Sequence, residues 1–225
     1  MDHSSPTTTS DAPGPTTRTV EWYFDFISPF AYLQWQAVRR LPGTVPVFRP
    51  VLLAGLLSHH GHKGPAEIPS KRLFTYRHAQ WRADRAGIPM TFPPAHPFNP
   101  LAALRLCIAA GAGAEAVDAI FDHIWRHGRP AETFDDLAAV ATQLGIDDPT
   151  ALQQPAVKQR LRENFDAAVR AGVFGVPTLV ADGQLFWGED ATAMFEHYLA
   201  QPRLFETPGM RRLAELPVAA MRQPG

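Results

Sequence analysis

The sequence holds a single cysteine, Cys107, in 225 residues. One thiol excludes an intrachain disulfide and any CxxC redox pair, and it points to a reducing cytoplasm as the expected location. Lysine is nearly as scarce: Lys63, Lys71 and Lys158 are the only three, so arginine supplies most of the positive charge. Neither sign is in excess. With 21 basic and 22 acidic residues and a net charge of −1, no global field recruits nucleic acid or an anionic membrane surface. No apolar run reaches the roughly 18 residues of a membrane-spanning helix. The opening stretch, 1–18, has neither a basic n-region nor an apolar h-region and does not read as a secretory signal. Rich in Ser, Thr, Pro and Gly, it reads as a disordered tail.

Metal and dinucleotide chemistry also lack their patterns. His59, His60 and His62 cluster, but no further ligands accompany them, so no metal site is expected. His123 and His127 stand four apart without the Glu of HExxH, and read as solvent-facing or interfacial. The stretch Gly111 to Ala116 fits G-x-G-x-x-A, yet a helical pattern precedes it rather than a strand, which makes it a turn. Cys107 lies in an apolar helical stretch and reads as buried and inert.

What is present is ordinary globular composition, 45% hydrophobic and 19% charged, with no internal repeat. Val20, Trp22, Phe24 and Phe26 alternate with Glu21, Tyr23 and Asp25, the period of a strand. Ser28-Pro29 ends it, and Pro29 suits the first turn of a helix over about 30–40. Pro42-Gly43 stops that helix, and 45–49 reads as a second strand, parallel to the first because a helix joins them. A helical block follows. Pro69 opens a helix that closes at Gly87. Asn99-Pro100 reads as N-cap plus N1 of another. A third runs from Glu115 to His127. Thr133 with Asp136 reads as a capping box for a helix ending at Gly145, and the last spans about 155–171. Residues 176–181 and 184–187 then form a hairpin about Asp182-Gly183. Glu189 to Leu199 is a final amphipathic helix, and the Pro-rich 203–225 reads as a loosely attached tail. The end strands need each other to make one sheet, so the helical block is an insertion into a single α/β layer.

Chemistry is expected where the first strand feeds the first helix, since a helix N-terminus offers free N–H groups and positive potential to an anion. Ser28 sits there, either as a plain N-cap or as a working hydroxyl. A second signal is Gly175-Val176-Pro177-Thr178, where Pro177 is either cis or an ordinary trans proline opening a strand.

This order of elements, with Gly-Val-Pro-Thr before the hairpin, resembles the thioredoxin superfamily and its DsbA-type branch. The turn that holds CxxC in those oxidoreductases here appears as Ser28-Pro29-Phe30-Ala31, so thiol–disulfide exchange by the protein's own thiols is excluded. Tyr23 to Leu33 (YFDFISPFAYL) and Phe186 to Asp190 (FWGED) are closely similar to the 2-hydroxychromene-2-carboxylate isomerase family, relatives of the kappa-class glutathione transferases. The insertion carries matching stretches: Gly61 to Pro65, Pro69 to Arg72, Phe92 to Pro94 and Asn99 to Arg105.

The resemblance implies a thioredoxin-like α/β fold with an inserted all-helical domain. It divides the chain into a 1–18 tail, a thioredoxin-like domain over 19–52 and 173–201, an inserted helical domain over 53–172, and a 202–225 tail. It implies glutathione as cofactor, with Ser28 hydrogen-bonding its sulfur. Val176 and Pro177 would pair with its cysteinyl backbone. Trp187, Gly188, Glu189 and Asp190 would lie at its γ-glutamyl end, although two acids at a helix start also serve the helix dipole alone. The substrate implied is a small aromatic or electrophilic carboxylate between sheet and insertion. Lys63, Lys71 and Arg72 would supply a cation, with His62, His96 and Asn99 as polar liners; surface solvation is the other reading of the lysines. The activity implied is a glutathione-dependent cis–trans isomerisation by a homodimer. A kappa-like transferase or peroxidase, and a non-catalytic binding module, are the alternatives.

Overall fold

A computed structural model describes residues 17–220. In chain order these form β1 (Arg18–Phe24), α1 (Pro29–Val38), β2 (Thr44–Pro50), α2 (Leu53–His59), α3 (Pro69–Ala86), α4 (Leu101–Ala109), α5 (Ala114–Phe121), α6 (Ala138–Gln143), α7 (Pro155–Arg170), β3 (Thr178–Ala181), β4 (Gln184–Trp187), α8 (Thr192–Ala200) and α9 (Pro208–Ala214). The strands make one mixed sheet in the order β2-β1-β3-β4. β1 runs parallel to β2 and antiparallel to β3, and β3 and β4 form the hairpin. The two halves of the sheet therefore come from opposite ends of the sequence, with α2 to α7 between them. This is the thioredoxin-like arrangement with a helical insertion.

Strand periodicity sends side chains to two buried faces. On one, Val20, Trp22 and Phe24 join Leu179 and Phe186, and the same apolar cluster continues through Trp35 of α1, Leu104 of α4, Phe121 of α5 and Trp125. Trp22 stacks on Phe24 with centroids 4.3 Å apart, and Trp35 stacks on Trp22. On the other face Tyr23 and Val180 pack with Val51, Leu56, Ala168 and Val173. α7 closes this second face, and its buried Asn164 donates to Pro50 O at 2.9 Å. Burying each large side chain contributes about 1.5–3 kcal/mol, so the sheet and the inserted helices share one stabilising core.

Local signals set most boundaries. Gly87 takes φ 64° and closes α3. Asp182 and Gly183 take φ 50° and 76°, the pair of left-handed residues that a tight hairpin needs. The capping box at Thr133 is reciprocal: Thr133 Oγ accepts from Asp136 N, and Asp136 Oδ2 accepts from Thr133 N.

Several expectations are corrected. Arg18, assigned to the leading tail, pairs with Thr44 in β1; residues 1–16 lie outside the described chain. Pro100, not Asn99, is the N-cap of α4, while Asn99 Oδ1 accepts from Leu101 N one position further on. The helix expected over 115–127 ends at Phe121 and passes into a wider π turn, Asp122–Arg126. His123, expected to be solvent-facing or interfacial, is buried there and bonds Pro130 O through Nε2 at 2.8 Å. The helix after the capping box begins as a 3-10 turn at Asp135–Leu137 and becomes α6 only at Ala138. β3 starts at Thr178, because Pro177 has no N–H to give the ladder. The last helix splits into a 3-10 turn, Glu189–Ala191, and α8. Beyond it the chain is less loose than expected: α9 forms, and Phe205 stacks on Phe186 and Tyr198.

Among the described residues no helix is long and apolar enough to cross a membrane. Nor does any group of three or more His, Cys, Asp or Glu lie where it could hold a metal ion.

Candidate active site

The strand-to-helix turn after β1 is built for a small polar residue. Ser28 is extended (φ −91°, ψ 114°), Pro29 occupies N1, and Ser28 Oγ accepts from Ala31 N at 3.2 Å. The N-cap reading is therefore met. The Phe30 N–H, on the same first turn, has no hydrogen-bond partner among the described residues. Ser28 is 6% exposed, and it opens onto a cavity of about 530 Å³ between the sheet and the inserted helices.

The turn is held from the insertion. Trp125 Nε1 donates to Phe26 O at 2.8 Å, and His96 Nε2 donates to the next carbonyl, Ile27 O, also at 2.8 Å. A carbonyl only accepts, so Nε2 carries the ring proton. Burial holds the His96 pKa below its usual value, which keeps the ring neutral. Nδ1 then accepts, and the Tyr76 hydroxyl lies 2.8 Å from it and 2.6 Å from His96 O. The one Tyr76 proton is shared between these two acceptors, so Nε2 is the ring nitrogen with a committed partner.

Asp25 is the site residue that the sequence reading passed over. It is fully buried and lines the same cavity. Its Oδ1 accepts from Ile27 N at 3.2 Å, and its Oδ2 accepts from Leu53 N at 2.8 Å, at the start of α2. Burial pushes its pKa up to about 7, against the pull of these N–H donors. The signal for it was present: a single acid inside Trp22-Tyr23-Phe24-Asp25-Phe26-Ile27, where solvation is least available.

Val176 lines the cavity from the loop before β3. The Val176–Pro177 peptide is cis, one of the two alternatives open for Pro177, and His96–Pro97 is a second cis bond. The Val176 N–H and C=O make no backbone hydrogen bond among the described residues. That leaves one backbone N–H and one C=O free to pair with a peptide, on the same cavity as the free Phe30 N–H at a helix N-terminus suited to an anion. These groups fit a cysteinyl peptide.

Of the residues named from sequence, the cavity brings together Ser28, Val176, His96 and Asn99. Pro177, Trp187, Gly188, Glu189 and Asp190 do not line it. Trp187 is 54% exposed and packs edge-on against Phe174. Gly188 sits beside α1 instead: its N–H donates to Pro177 O, and its carbonyl accepts from Gln34 Nε2 at 2.9 Å. Buried Gln34 also accepts from Trp22 Nε1 at 2.7 Å, which ties β1, α1 and the last turn together. Glu189 is ion-paired with Arg82 of α3, and Asp190 is exposed. Gly188 itself is required. It takes φ 93°, and a Cβ there would collide with the Asp190 carboxylate. Gly188→Ala is expected to destabilise the fold by about 1–3 kcal/mol, read as a lower midpoint in urea unfolding.

The residues expected to supply a substrate cation are not part of the cavity wall. Lys63, Lys71 and Arg72 are exposed, as is His62, and none of the four lines the cavity. Lys71 and Arg72 stand one turn before Thr75, which does line it, so they flank the cavity outside its wall. The wall near Lys63 is made by the buried Gly64, whose N–H is held by the Glu67 carboxylate.

A mixed β2-β1-β3-β4 sheet with a helical layer inserted between its two halves, and with the first helix's N-terminus opening onto the cavity between them, defines a thioredoxin-fold protein of the DsbA type. The family model for the DSBA-like thioredoxin domain matches residues 19–200, and the chain belongs to that family. It is 30% identical over 193 residues to 2-hydroxychromene-2-carboxylate isomerase of Sphingobium xenophagum, a match covering 81% of this chain and 98% of that one. It is 26% identical over 211 residues to human glutathione S-transferase kappa 1, covering 84% and 93%. Among solved structures, a 2-hydroxychromene-2-carboxylate isomerase matches with TM-score 0.70 at 27% identity, over 89% of this chain and all of that one.

Proposed function

We infer that the protein is a glutathione-dependent enzyme of the isomerase and kappa-transferase group, and that Ser28 is its catalytic residue. The observation that carries this reading is the meeting of Ser28 and Val176 in one cavity, in a chain 30% identical to an isomerase of this kind. Glutathione held there would supply a thiol nucleophile for reversible addition to an activated double bond. The Ser28 hydroxyl would donate to the sulfur and favour its charged form. The Phe30 N–H and the α1 dipole add positive potential at the same point. The free N–H and C=O of Val176 would pair with the cysteinyl backbone, and His96 keeps the Ser28 turn in place through Ile27 O.

A second reading, a kappa-like transferase that releases the adduct, is favoured by the absence of the expected cation from the cavity wall and by the likeness to the human kappa enzyme.

Calorimetric titration tests the common step. One saturable glutathione site per chain is expected, and no heat at millimolar glutathione would remove the reading. Product analysis then separates the branches: an isomer with glutathione conserved identifies the isomerase, and an accumulating conjugate identifies the transferase. Normal glutathione affinity in Ser28→Ala, with no rate on any electrophile that depends on Ser28, would identify a binding module.

A further inference from the structure

A second cavity, of about 420 Å³, lies within the inserted layer, between α4 and the segments 132–134 and 149–153. Apart from Asn99 it shares no lining residue with the cavity at Ser28. Its wall holds one cation and one acid, Arg105 of α4 and Glu132. Neither takes part in an ion pair among the described residues. Arg105 is sunk into the wall as far as Nε, which is buried without a hydrogen-bond partner. Its one side-chain bond runs from Nη1 to Gln153 Oε1 at 3.3 Å. A guanidinium drawn that far from water without a counter-charge is costly, and a carboxylate beside it would supply the missing charge. Glu132 stands exposed at the rim. Its Oε1 accepts from Asn99 N at 3.0 Å, and its Oε2 makes no hydrogen bond among the described residues. The same wall carries Phe134 and the buried Leu152. An anion alone would meet Glu132 here, and a cation alone would meet Arg105. A molecule that holds both signs on neighbouring atoms satisfies each.

We propose that this cavity is a binding site for a small zwitterion, an α-amino acid with an apolar side chain. The carboxylate of the ligand takes Arg105, its ammonium takes Glu132, and its side chain lies against Phe134 and Leu152. The γ-glutamyl end of glutathione carries the same head group, but it continues into a polar peptide that this apolar wall does not match. The proposal does not depend on glutathione binding at Ser28.

Calorimetric titration of the full-length protein with L-phenylalanine, hydrocinnamate and phenethylamine tests it. The last two keep the phenylalkyl body and lack the ammonium and the carboxylate respectively. L-phenylalanine is expected to bind at one saturable site with a Kd of about 1 mM or below, and each truncated ligand about tenfold or more weakly. In Arg105→Gln, L-phenylalanine should fall to the affinity of phenethylamine. In Glu132→Gln, which keeps an oxygen for Asn99 N, it should fall to that of hydrocinnamate. Glu132 is exposed, so its variant tests the proposal even where Arg105→Gln folds poorly. No saturable heat with L-phenylalanine overturns the proposal, as does a truncated ligand that binds as tightly as the amino acid. Full affinity for L-phenylalanine in Glu132→Gln, or in a folded Arg105→Gln, overturns it as well. Displacement of L-phenylalanine by glutathione would give the head-group site to the tripeptide and overturn the proposal, whereas unchanged L-phenylalanine affinity at saturating glutathione supports two separate sites.

Discussion

Ser28→Ala is expected to lower the glutathione-dependent kcat/KM by about 10- to 100-fold. A hydrogen bond from a hydroxyl to a charged partner contributes about 1.5–3 kcal/mol, and each 1.4 kcal/mol or so is a factor of ten in rate. The loss should come with a higher pKa of the bound thiol, followed by the ultraviolet absorbance of the thiolate against pH. Ser28 also caps α1 through Ala31 N, so the same substitution should reduce stability by about 1 kcal/mol. Ser28→Thr separates the two roles. It keeps both hydroxyl and cap, and should recover most of the rate and most of the stability. If Ser28→Ala turned over at the wild-type rate with an unshifted thiol pKa, the hydroxyl would be a cap and nothing more.

The second large effect concerns Asp25. Its carboxyl ordinarily ionises near 3.8, and in the fold it does so at about 7 because burial penalises the charged form. Between those values the unfolded chain releases the proton that the folded chain keeps. The folded state binds more protons there, and stability falls as pH rises. The stabilising contribution is complete below about pH 4 and gone above about pH 7, and a shift of this size amounts to something on the order of 4 kcal/mol across the window. Asp25→Asn cannot ionise, so the stability gap between variant and wild type should close or reverse as pH rises from 4 to 8. Urea unfolding of both proteins at intervals across that range is the measurement, and parallel curves would show that Asp25 does not titrate there. The catalytic side has the same sign. Once ionised, Asp25 puts a negative charge into the cavity that holds Ser28, which opposes thiolate formation. The bound thiol should therefore titrate lower in Asp25→Asn than in the wild type.

Much of the fold was legible because its signals are local. Pro29, Gly87, the Thr133–Asp136 pair and Asp182-Gly183 each act within a few residues, and each stands where its chemistry requires. The pairing of the end strands followed from there being too few strands at either end to make a sheet alone. Ser28 and Val176 could be placed together only through family likeness, since 148 positions separate them by their numbers. The cavity wall was legible only in part: family likeness named His96 and Asn99 among its liners, but not the contacts that hold it. His96 reaches Ile27 across 69 positions and Leu53 reaches Asp25 across 28, and no periodicity encodes either contact. The placing of the three expected cations outside the cavity wall was not legible for a related reason: a motif fixes where a residue lies along the chain, but exposure of Lys63, Lys71 and Arg72 depends on how the wall packs behind them.

The two carbonyl ties on the Ser28 turn have a mechanical consequence. Phe26 O and Ile27 O point into the inserted layer and are gripped there by Trp125 and His96. Sheet and insertion cannot swing apart like the jaws of a clamp without stripping both carbonyls of their donors in a water-poor interior. Opening the pocket that way would cost both bonds at once.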